Sequence, residues 1–444
     1  MADGTLFGDL RRSVIVDLFC GVGGGSEGVR RALGRDPDVA VNHWQYAIDM
    51  HRRNHPTTEH FQEDVFNISP WQASRGKRVD LLVGTAPCPH FSNAKGAAPF
   101  DEGIRCLSNV FVDWANKIQP RIILLENVKE FAQWGPLDEK GRPIKERRGE
   151  YFRQWVQQIE AAGYKVEWRL LSACDYGAPT SRLRFFLIAR CDGQPIQWPP
   201  ATHGDGLIPY RTAGECIDWS LPMCSIFASP QEAKVWARHH GMGIPQRPLE
   251  EATMERIAKG LKKFVLGNDP YLLTLDGGAY AAPFLSRQFG ASVGQQLTLP
   301  MPTATVVNKT ALVSAFFTQF YGTAVGSPLS APVPTITSGG QHIGVIAAFL
   351  AKYYGADGQF QGMNCPLDTI TTKDRFGLVT VSIQGEQHYI SDIYLRMLSP
   401  GELAKAQGFP DSYIIEGSKK DRIKGIGNSV VPQVVEALIR ANFP

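Results

Sequence analysis

Short apolar runs recur along the first part of the chain, at Val14 to Phe19, Val79 to Val83, Ile122 to Leu125 and Phe185 to Ala189, and each reads as a buried strand. Amphipathic stretches accompany them, a short one at Val29 to Leu33 and a convincing helix over Gly149 to Ala162. This alternation predicts an α/β fold whose mostly parallel sheet carries helices on both faces. Near Cys191-Asp192-Gly193-Gln194-Pro195 the composition turns to proline, glycine and threonine, which marks a domain boundary. A last helix is predicted over Pro432 to Ala441.

Beyond the boundary the pattern changes. Pro300-Met301-Pro302-Thr303-Ala304-Thr305 is echoed by Pro332-Val333-Pro334-Thr335-Ile336-Thr337 and by Pro366-Leu367-Asp368-Thr369-Ile370-Thr371, at nearly equal spacing. Two copies run on into Ala315-Phe316 with Tyr321-Gly322, and Ala348-Phe349 with Tyr354-Gly355. Such self-similarity predicts a repeated β unit over about 298–381, its copies stacking shared apolar faces. Asn308 and Lys309, Gln341 and His342, and Lys373 and Arg375 follow the threonines. These side-chain types read base edges and phosphates, although a repeat that only builds a core would look the same.

A length of 444 residues suggests two to three domains, and 43% hydrophobic with 20% charged residues describes a soluble globular protein. No apolar run reaches the roughly 18 residues of a membrane span, and Met1-Ala2-Asp3-Gly4-Thr5-Leu6 lacks a secretory signal's basic and apolar regions. Eight cysteines without a Cys-x-x-Cys pair give no metal signature and suit a reducing, cytoplasmic location. A net charge of +3 is too small to argue for nucleic acid from composition. Locally, Lys140, Arg142, Lys145, Arg147, Arg148 and Arg153 crowd one polar stretch, either a solvated face or a set of phosphate contacts.

The candidate chemistry sits where the predicted strands end. Val79 to Val83 leads into Gly84-Thr85-Ala86-Pro87-Cys88-Pro89-His90-Phe91-Ser92, so a thiol is presented at a strand terminus, where α/β enzymes place reacting groups. Pro87 restrains its own backbone and biases Ala86 toward extended geometry, which aims Cys88. The Val14 run enters Cys20-Gly21-Val22-Gly23-Gly24-Gly25-Ser26-Glu27-Gly28, where glycines permit a tight turn and close approach of a nucleotide-like ligand. Ile122 to Leu125 ends in Glu126-Asn127-Val128, a carboxylate that reads either as a helix cap or as an acid. Tyr176-Gly177-Ala178-Pro179-Thr180-Ser181 precedes Arg182 and Arg184, two apart and therefore on one strand face.

Taken in order, these segments resemble the DNA (cytosine-5)-methyltransferase family, together with Arg396-Met397-Leu398-Ser399-Pro400-Gly401-Glu402, Gln407-Gly408-Phe409-Pro410-Asp411 and Gly425-Ile426-Gly427-Asn428-Ser429-Val430-Val431-Pro432. The resemblance covers 14–191 and 394–443, and the stretch between corresponds to the family's variable target-recognition region. It implies a Rossmann-like, S-adenosylmethionine-dependent methyltransferase domain over 1–192 completed by 425–444, and a β-rich target-recognition domain over 193–424. The implied reaction moves a methyl group from S-adenosyl-L-methionine to carbon 5 of cytosine in a specific double-stranded DNA sequence, through a covalent cysteine adduct and base flipping.

By the same resemblance Cys88 is the nucleophile, Glu126 protonates ring nitrogen 3, Arg184 binds the cytosine carbonyl oxygen and Arg182 serves Glu126 or a phosphate. Asp17, Phe19, Gly21 and Gly23 match the loop around the cofactor's methionine part. Trp44 matches the residue stacked on adenine and Asp64, next to Val65, the carboxylate facing the adenine amine; Pro87, Asn428 and Ser429 complete the implied contacts. His43 stands where the family usually has an acidic residue for the ribose hydroxyls, with Asp49 a less well placed substitute, and Pro89 and Thr180 are further departures. Ser92, Lys309, His342, Lys373 and Arg375 are expected to contact DNA. Double-stranded DNA is the implied partner of a monomer, with a cognate restriction endonuclease if the chain serves a restriction-modification system, and no membrane. A catalytically inactive DNA-binding relative and a tRNA cytosine-5 methyltransferase share many of these features. A nicotinamide dehydrogenase would explain the glycines but leave Cys88, Glu126 and the arginines without a role.

Overall fold

The computed structural model describes residues 13–86, 106–139, 142–266, 270–275, 280–289, 292–319, 349–352, 360–362, 376–378, 380–383 and 386–443. Pro87, Cys88, Ser92, His342, Lys373 and Arg375 lie outside them, as do the second and third copies of the repeated segment.

The apolar runs become strands β1 (Val14–Leu18), β4 (Val79–Gly84), β5 (Ile122–Asn127) and β7 (Leu183–Arg190), joined by β2 (Val39–Val41), β3 (Glu59–Phe61) and β6 (Lys165–Ser172). Their order is β3-β2-β1-β4-β5-β7-β6. Pairing is parallel from β3 through β5, while β7 runs antiparallel to both β5 and β6. The chain leaves β1 toward β2 on one side and reaches β4 on the other, so the strand order reverses there, and ligands of such sheets bind outside the carboxyl ends of the strands at this point.

Alternate side chains of these strands fill two cores. Val16, Leu18, Leu82, Ile123, Leu125 and Leu187 pack under Phe111, Trp114, Phe152 and Trp155 of the helices Asn109–Lys117 and Glu150–Ala161. On the other face Ile15, Leu81, Val83, Leu124 and Ile188 meet Val29 of the helix Gly24–Leu33 and Val434, Val435 and Leu438 of the helix Pro432–Asn442. The last two helices approach very closely. A Cβ on Gly28 would stand 2.6 Å from Val435 Cβ, and one on Gly24 would stand 2.1 Å from Ser429 Oγ. Those two glycines therefore serve the docking of the C-terminal segment.

The chain divides into two compact units, the first within 1–216, 300–307 and 400–444, the second within 217–299 and 308–399. Composition points to a boundary near 192 and the resemblance implies completion of the first domain from 425; the compact unit reaches beyond both, for local reasons. Trp198 Nε1 donates to Glu167 Oε2 at 2.9 Å and the Asn442 side chain bonds both backbone polar groups of Gln197, so the chain stays on the first unit past 192. Before 425, Asn54 holds Ile414 through two bonds of 2.8 Å. The first copy of the repeated segment also belongs to the first unit: Met301 N donates to Pro179 O at 2.8 Å, and Ser181 N to Met301 O at 2.9 Å.

The second unit is β-rich among the described residues. Strands β8 (Cys224–Ser225), β9 (Leu273–Thr274), β10 (Tyr280–Arg287), β11 (Thr310–Gln319), β15 (Thr380–Ile383) and β16 (Glu386–Met397) form an antiparallel sheet ordered β15-β16-β11-β10-β9, with β8 on β16. A smaller sheet holds β12 (Phe349–Lys352) between β13 (Phe360–Gly362) and β14 (Phe376–Leu378). The core of the larger sheet joins Phe284, Val313 and Ile393 to Leu261 and Phe264 of the helix Glu251–Phe264.

Candidate active site

The carboxyl ends of β1, β4 and β5 lie side by side in the sheet. β1 stops at Leu18 because Phe19 takes a left-handed conformation with φ 58°, followed by Gly21 at 54° and Gly23 at 101°. A phenylalanine in that region costs about 1 kcal/mol or more and persists only where its surroundings hold it. Here Thr85, just past β4, donates through Oγ1 to Phe19 O at 3.0 Å, and Tyr413 donates to Val22 O at 2.8 Å. A Cβ on Gly23 would stand 2.2 Å from the Tyr413 hydroxyl, so that position admits only glycine. Asp17 is fully buried; Oδ2 accepts from Ser26 Oγ at 2.7 Å, whereas Oδ1 has no hydrogen-bond partner among the described residues. Burial pushes its pKa up to about 7 against the two bonds from Ser26.

The turn after β2 brings the next candidates. Asn42 Oδ1 accepts from Trp44 N at 2.9 Å, which starts the helix Gln45–Asn54 with Trp44 half-buried and His43 exposed. Lys424 Nζ stands 4.1 Å from the indole centroid, and the Tyr46 ring packs at 4.9 Å. Asp49 is engaged by Gln45 Nε2 at 2.7 Å and by Arg52 at 3.7 Å. Asp64 is exposed and accepts from Phe66 N at 3.0 Å, with Val65 buried beside it. Asn428 is exposed at the end of the helix Lys419–Asn428, while Ser429 is buried and its carbonyl accepts from Gln407 Nε2 at 2.5 Å.

Glu126 lies within β5, opposite Phe186 of β7, and not at a helix start. It is buried, and burial raises its carboxyl above the usual range even though Arg184, and then Arg182, oppose that shift. Arg184 Nε stands 3.2 Å from Glu126 Oε1, an ion pair at an angle that makes no hydrogen bond. Asn127 Nδ2 donates to Ala86 O at 3.5 Å, which ties the end of β5 to the stem of the segment carrying Cys88.

Arg182 acts on Glu126 through its charge, while its hydrogen bonds go to the backbone. It precedes β7, is buried, and its Nη1 and Nη2 donate to Ala304 O at 3.0 Å and Gly427 O at 3.1 Å. With both ends of the fork bonded to carbonyls it acts on Glu126 only electrostatically, and its buried Nε has no hydrogen-bond partner among the described residues; burial lowers its pKa to about 9. Arg182→Met should leave two carbonyls unpaired and destabilise the fold by about 2–4 kcal/mol, measured by denaturant unfolding.

The expected nucleic-acid contacts are only partly described. Asn308 does not present its amide: Nδ2 donates to Leu398 O at 2.7 Å and Oδ1 accepts from Thr310 N at 3.1 Å, so it anchors the start of β11. Lys309 is half-buried with Nζ 5.5 Å from the Phe289 ring centroid. In the basic stretch Arg147 pairs with Glu150 at 2.6 Å and Arg153 donates to Arg148 O at 3.4 Å, which uses up part of its donor capacity. The sequence patterns missed Ser26, His51, Thr85 and Tyr413. Ser26 and Thr85 stand inside the quoted motifs without a role of their own there, and His51 and Tyr413 matter through partners distant in sequence.

The family model of C-5 cytosine-specific DNA methylases matches residues 14–213 and 340–443. Type II methyltransferase M.BspRI of Lysinibacillus sphaericus is 32% identical over 263 residues, which cover 50% of this chain and 58% of the relative. Type II methyltransferase M1.HphI of Haemophilus parahaemolyticus is 31% identical over 207 residues, covering 46% and 51%. The chain thus spans little more than half the length of these relatives. A solved structure of a mutant Spodoptera frugiperda DNMT2 overlays 97% of this chain on 100% of its own with a TM-score of 0.48 and 14% identity.

Proposed function

The chain belongs to the C-5 cytosine-specific DNA methylase family, and from that premise we propose that it methylates carbon 5 of cytosine within a specific double-stranded DNA sequence. The observation that carries the reading is Glu126, a buried carboxyl kept protonated more readily than usual, beside Arg184 and tied through Asn127 to the stem of the Cys88 segment.

The chemistry needs these groups together. Carbon 5 of cytosine is too weak a nucleophile to take a methyl group unaided. The Cys88 thiolate adds to carbon 6, which pushes electron density onto carbon 5 and nitrogen 3. Glu126 gives a proton to nitrogen 3 as that charge builds, a task suited to a carboxyl whose burial favours the protonated form. Arg184 lies beside Glu126 and supplies positive charge to the carbonyl oxygen of the same ring. After carbon 5 has been methylated its proton passes to a base such as water, the bond from Cys88 to carbon 6 breaks with its electron pair leaving on sulfur as thiolate, and the proton on nitrogen 3 returns to Glu126. Because the target atom is inaccessible in a duplex, the base must leave the stack, with the second unit gripping the remaining DNA.

The residues around the glycine turn fit S-adenosyl-L-methionine. Asp17 offers an unpartnered buried oxygen, Phe19, Gly21 and Gly23 shape the close turn, and Trp44 presents an aromatic surface. The cofactor supplies an electrophilic methyl group on a sulfonium. Asp64, Val65, Asn428 and Ser429 are assigned to the same site, with His43 the candidate at the ribose. Trp44→Ala should weaken S-adenosylmethionine binding by about 1 kcal/mol or more and remove most of the fluorescence quenching that binding causes.

Sequencing bisulfite-treated DNA from cells expressing the chain tests the activity and yields the target sequence. Protected cytosines at one recurring motif support the reading. Conversion throughout, with tRNA cytosines protected instead, would transfer it to RNA. The type II names of the relatives favour a restriction-modification setting with a partner endonuclease.

A further inference from the structure

Behind the glycine turn, buried polar groups form a directed chain. His60 Nε2 lies 2.8 Å from His51 Nδ1, His51 Nε2 lies 2.8 Å from Ser26 Oγ, and Ser26 Oγ donates to Asp17 Oδ2 at 2.7 Å. The last link sets the direction of the rest. Ser26 spends its one hydroxyl proton on the carboxylate, so it must accept from His51 Nε2–H, and His51 Nδ1 must then accept from His60 Nε2–H. Each imidazole is thereby held in one tautomer. The chain runs from β3 through the helices Gln45–Asn54 and Gly24–Leu33 to β1.

Nothing in the assigned chemistry uses His51, yet it is fully buried and spends both ring nitrogens on this chain. Its far end leaves Asp17 Oδ1 free among the described residues. We propose that His51 is a positioning residue that, through Ser26, orients the Asp17 carboxylate so that Oδ1 receives the cationic ammonium end of the cofactor. This rests on the reading of Asp17 as a cofactor contact.

The charged surroundings are defined. Burial, with His55 and His60 adding to it, keeps His51 neutral. Arg52, His55 and Asp36 act on His60, and Asp36, Arg30 and Glu27 on His55. Cys20 and Tyr413 feel the Asp17 charge. Since Asp17 titrates near 7 and the bond from Ser26 lowers that value, loss of the His51 donor should make Asp17 harder to ionise.

The test uses the full chain and S-adenosylhomocysteine, which carries the same ammonium, titrated calorimetrically between about pH 6 and about pH 8. In parallel the carboxyl carbon of Asp17 is followed by NMR without ligand, and cooperative unfolding confirms that each variant folds. Wild-type affinity should fall as pH drops through about 7. His51→Leu should shift that midpoint upward and weaken binding about tenfold at neutral pH, and Ser26→Ala should do the same. His51→Gln, whose amide can donate to Ser26, should recover most of both.

Equal losses in His51→Leu and His51→Gln with an unmoved midpoint would reduce His51 to packing and overturn the proposal, as would wild-type behaviour of His51→Leu. If wild type binds no S-adenosylhomocysteine at any pH, the cofactor reading fails. The Asp17 carbon then decides the link to His51 separately, by responding to His51→Leu with rescue in His51→Gln, or by ignoring both.

Discussion

Cys88→Ser is expected to lower methyl transfer on the order of 10⁴-fold or more while DNA and cofactor binding persist. A free thiol has a pKa of about 8.5 and yields some thiolate at neutral pH, whereas a serine hydroxyl yields essentially no alkoxide, so addition to carbon 6 stops. The segment around Cys88 keeps its stem in the variant: Thr85 remains bonded to Phe19 O at 3.0 Å and Ala86 O to Asn127 at 3.5 Å. DNA carrying 5-fluorocytosine separates chemistry from binding. Fluorine at carbon 5 cannot leave as a proton does, so wild type should be trapped in a covalent complex that survives denaturation, and Cys88→Ser should not. Ordinary turnover by the variant, or equal trapping by both, would remove Cys88 from the reaction.

Strand positions were legible because burial on both sheet faces requires uninterrupted apolar runs, as in β4 and β5, and candidates for chemistry could be chosen at the ends of those runs, among which Glu126 and Arg184 stand together. Long-range partners were not. Arg182 and Arg184 look equivalent two residues apart, but Arg182 precedes β7, and the carbonyls of Ala304 and Gly427 that it clamps belong to remote parts of the chain. The glycines after β1 look like one cofactor turn, yet Gly24 and Gly28 are needed for contacts with Ser429 and Val435. Pro300–Thr305 looks like the first of three equal copies. Pairing of Met301 with the segment around Thr180 draws it into the first unit. Side-chain periodicity carries no information about such pairings.

Glu126→Gln should separate function from stability. Glutamine keeps the shape of the side chain and an N–H donor but has no proton to give up, so turnover should fall by about 10²–10³-fold with little change in DNA binding. The folded carboxyl titrates above its ordinary value because burial outweighs the pull of Arg184 and Arg182. A group shifted in this direction stabilises the fold least where it is ionised. Wild-type stability should therefore decline as pH rises from the unfolded carboxyl's value through the folded one, a slope the glutamine variant lacks. The variant should be relatively most stable on the alkaline side, and its advantage should vanish in acid, measured as the difference in melting temperature across pH. The same titration sets the alkaline limit of turnover, since only protonated Glu126 can donate to nitrogen 3. Arg184→Met, by removing the charge that chiefly opposes the upward shift, should move that limit to higher pH even as it weakens the hold on the cytosine ring. An alkaline limit that stays fixed in Arg184→Met, together with parallel stability profiles for wild type and Glu126→Gln, would mean that Glu126 is not the titrating acid.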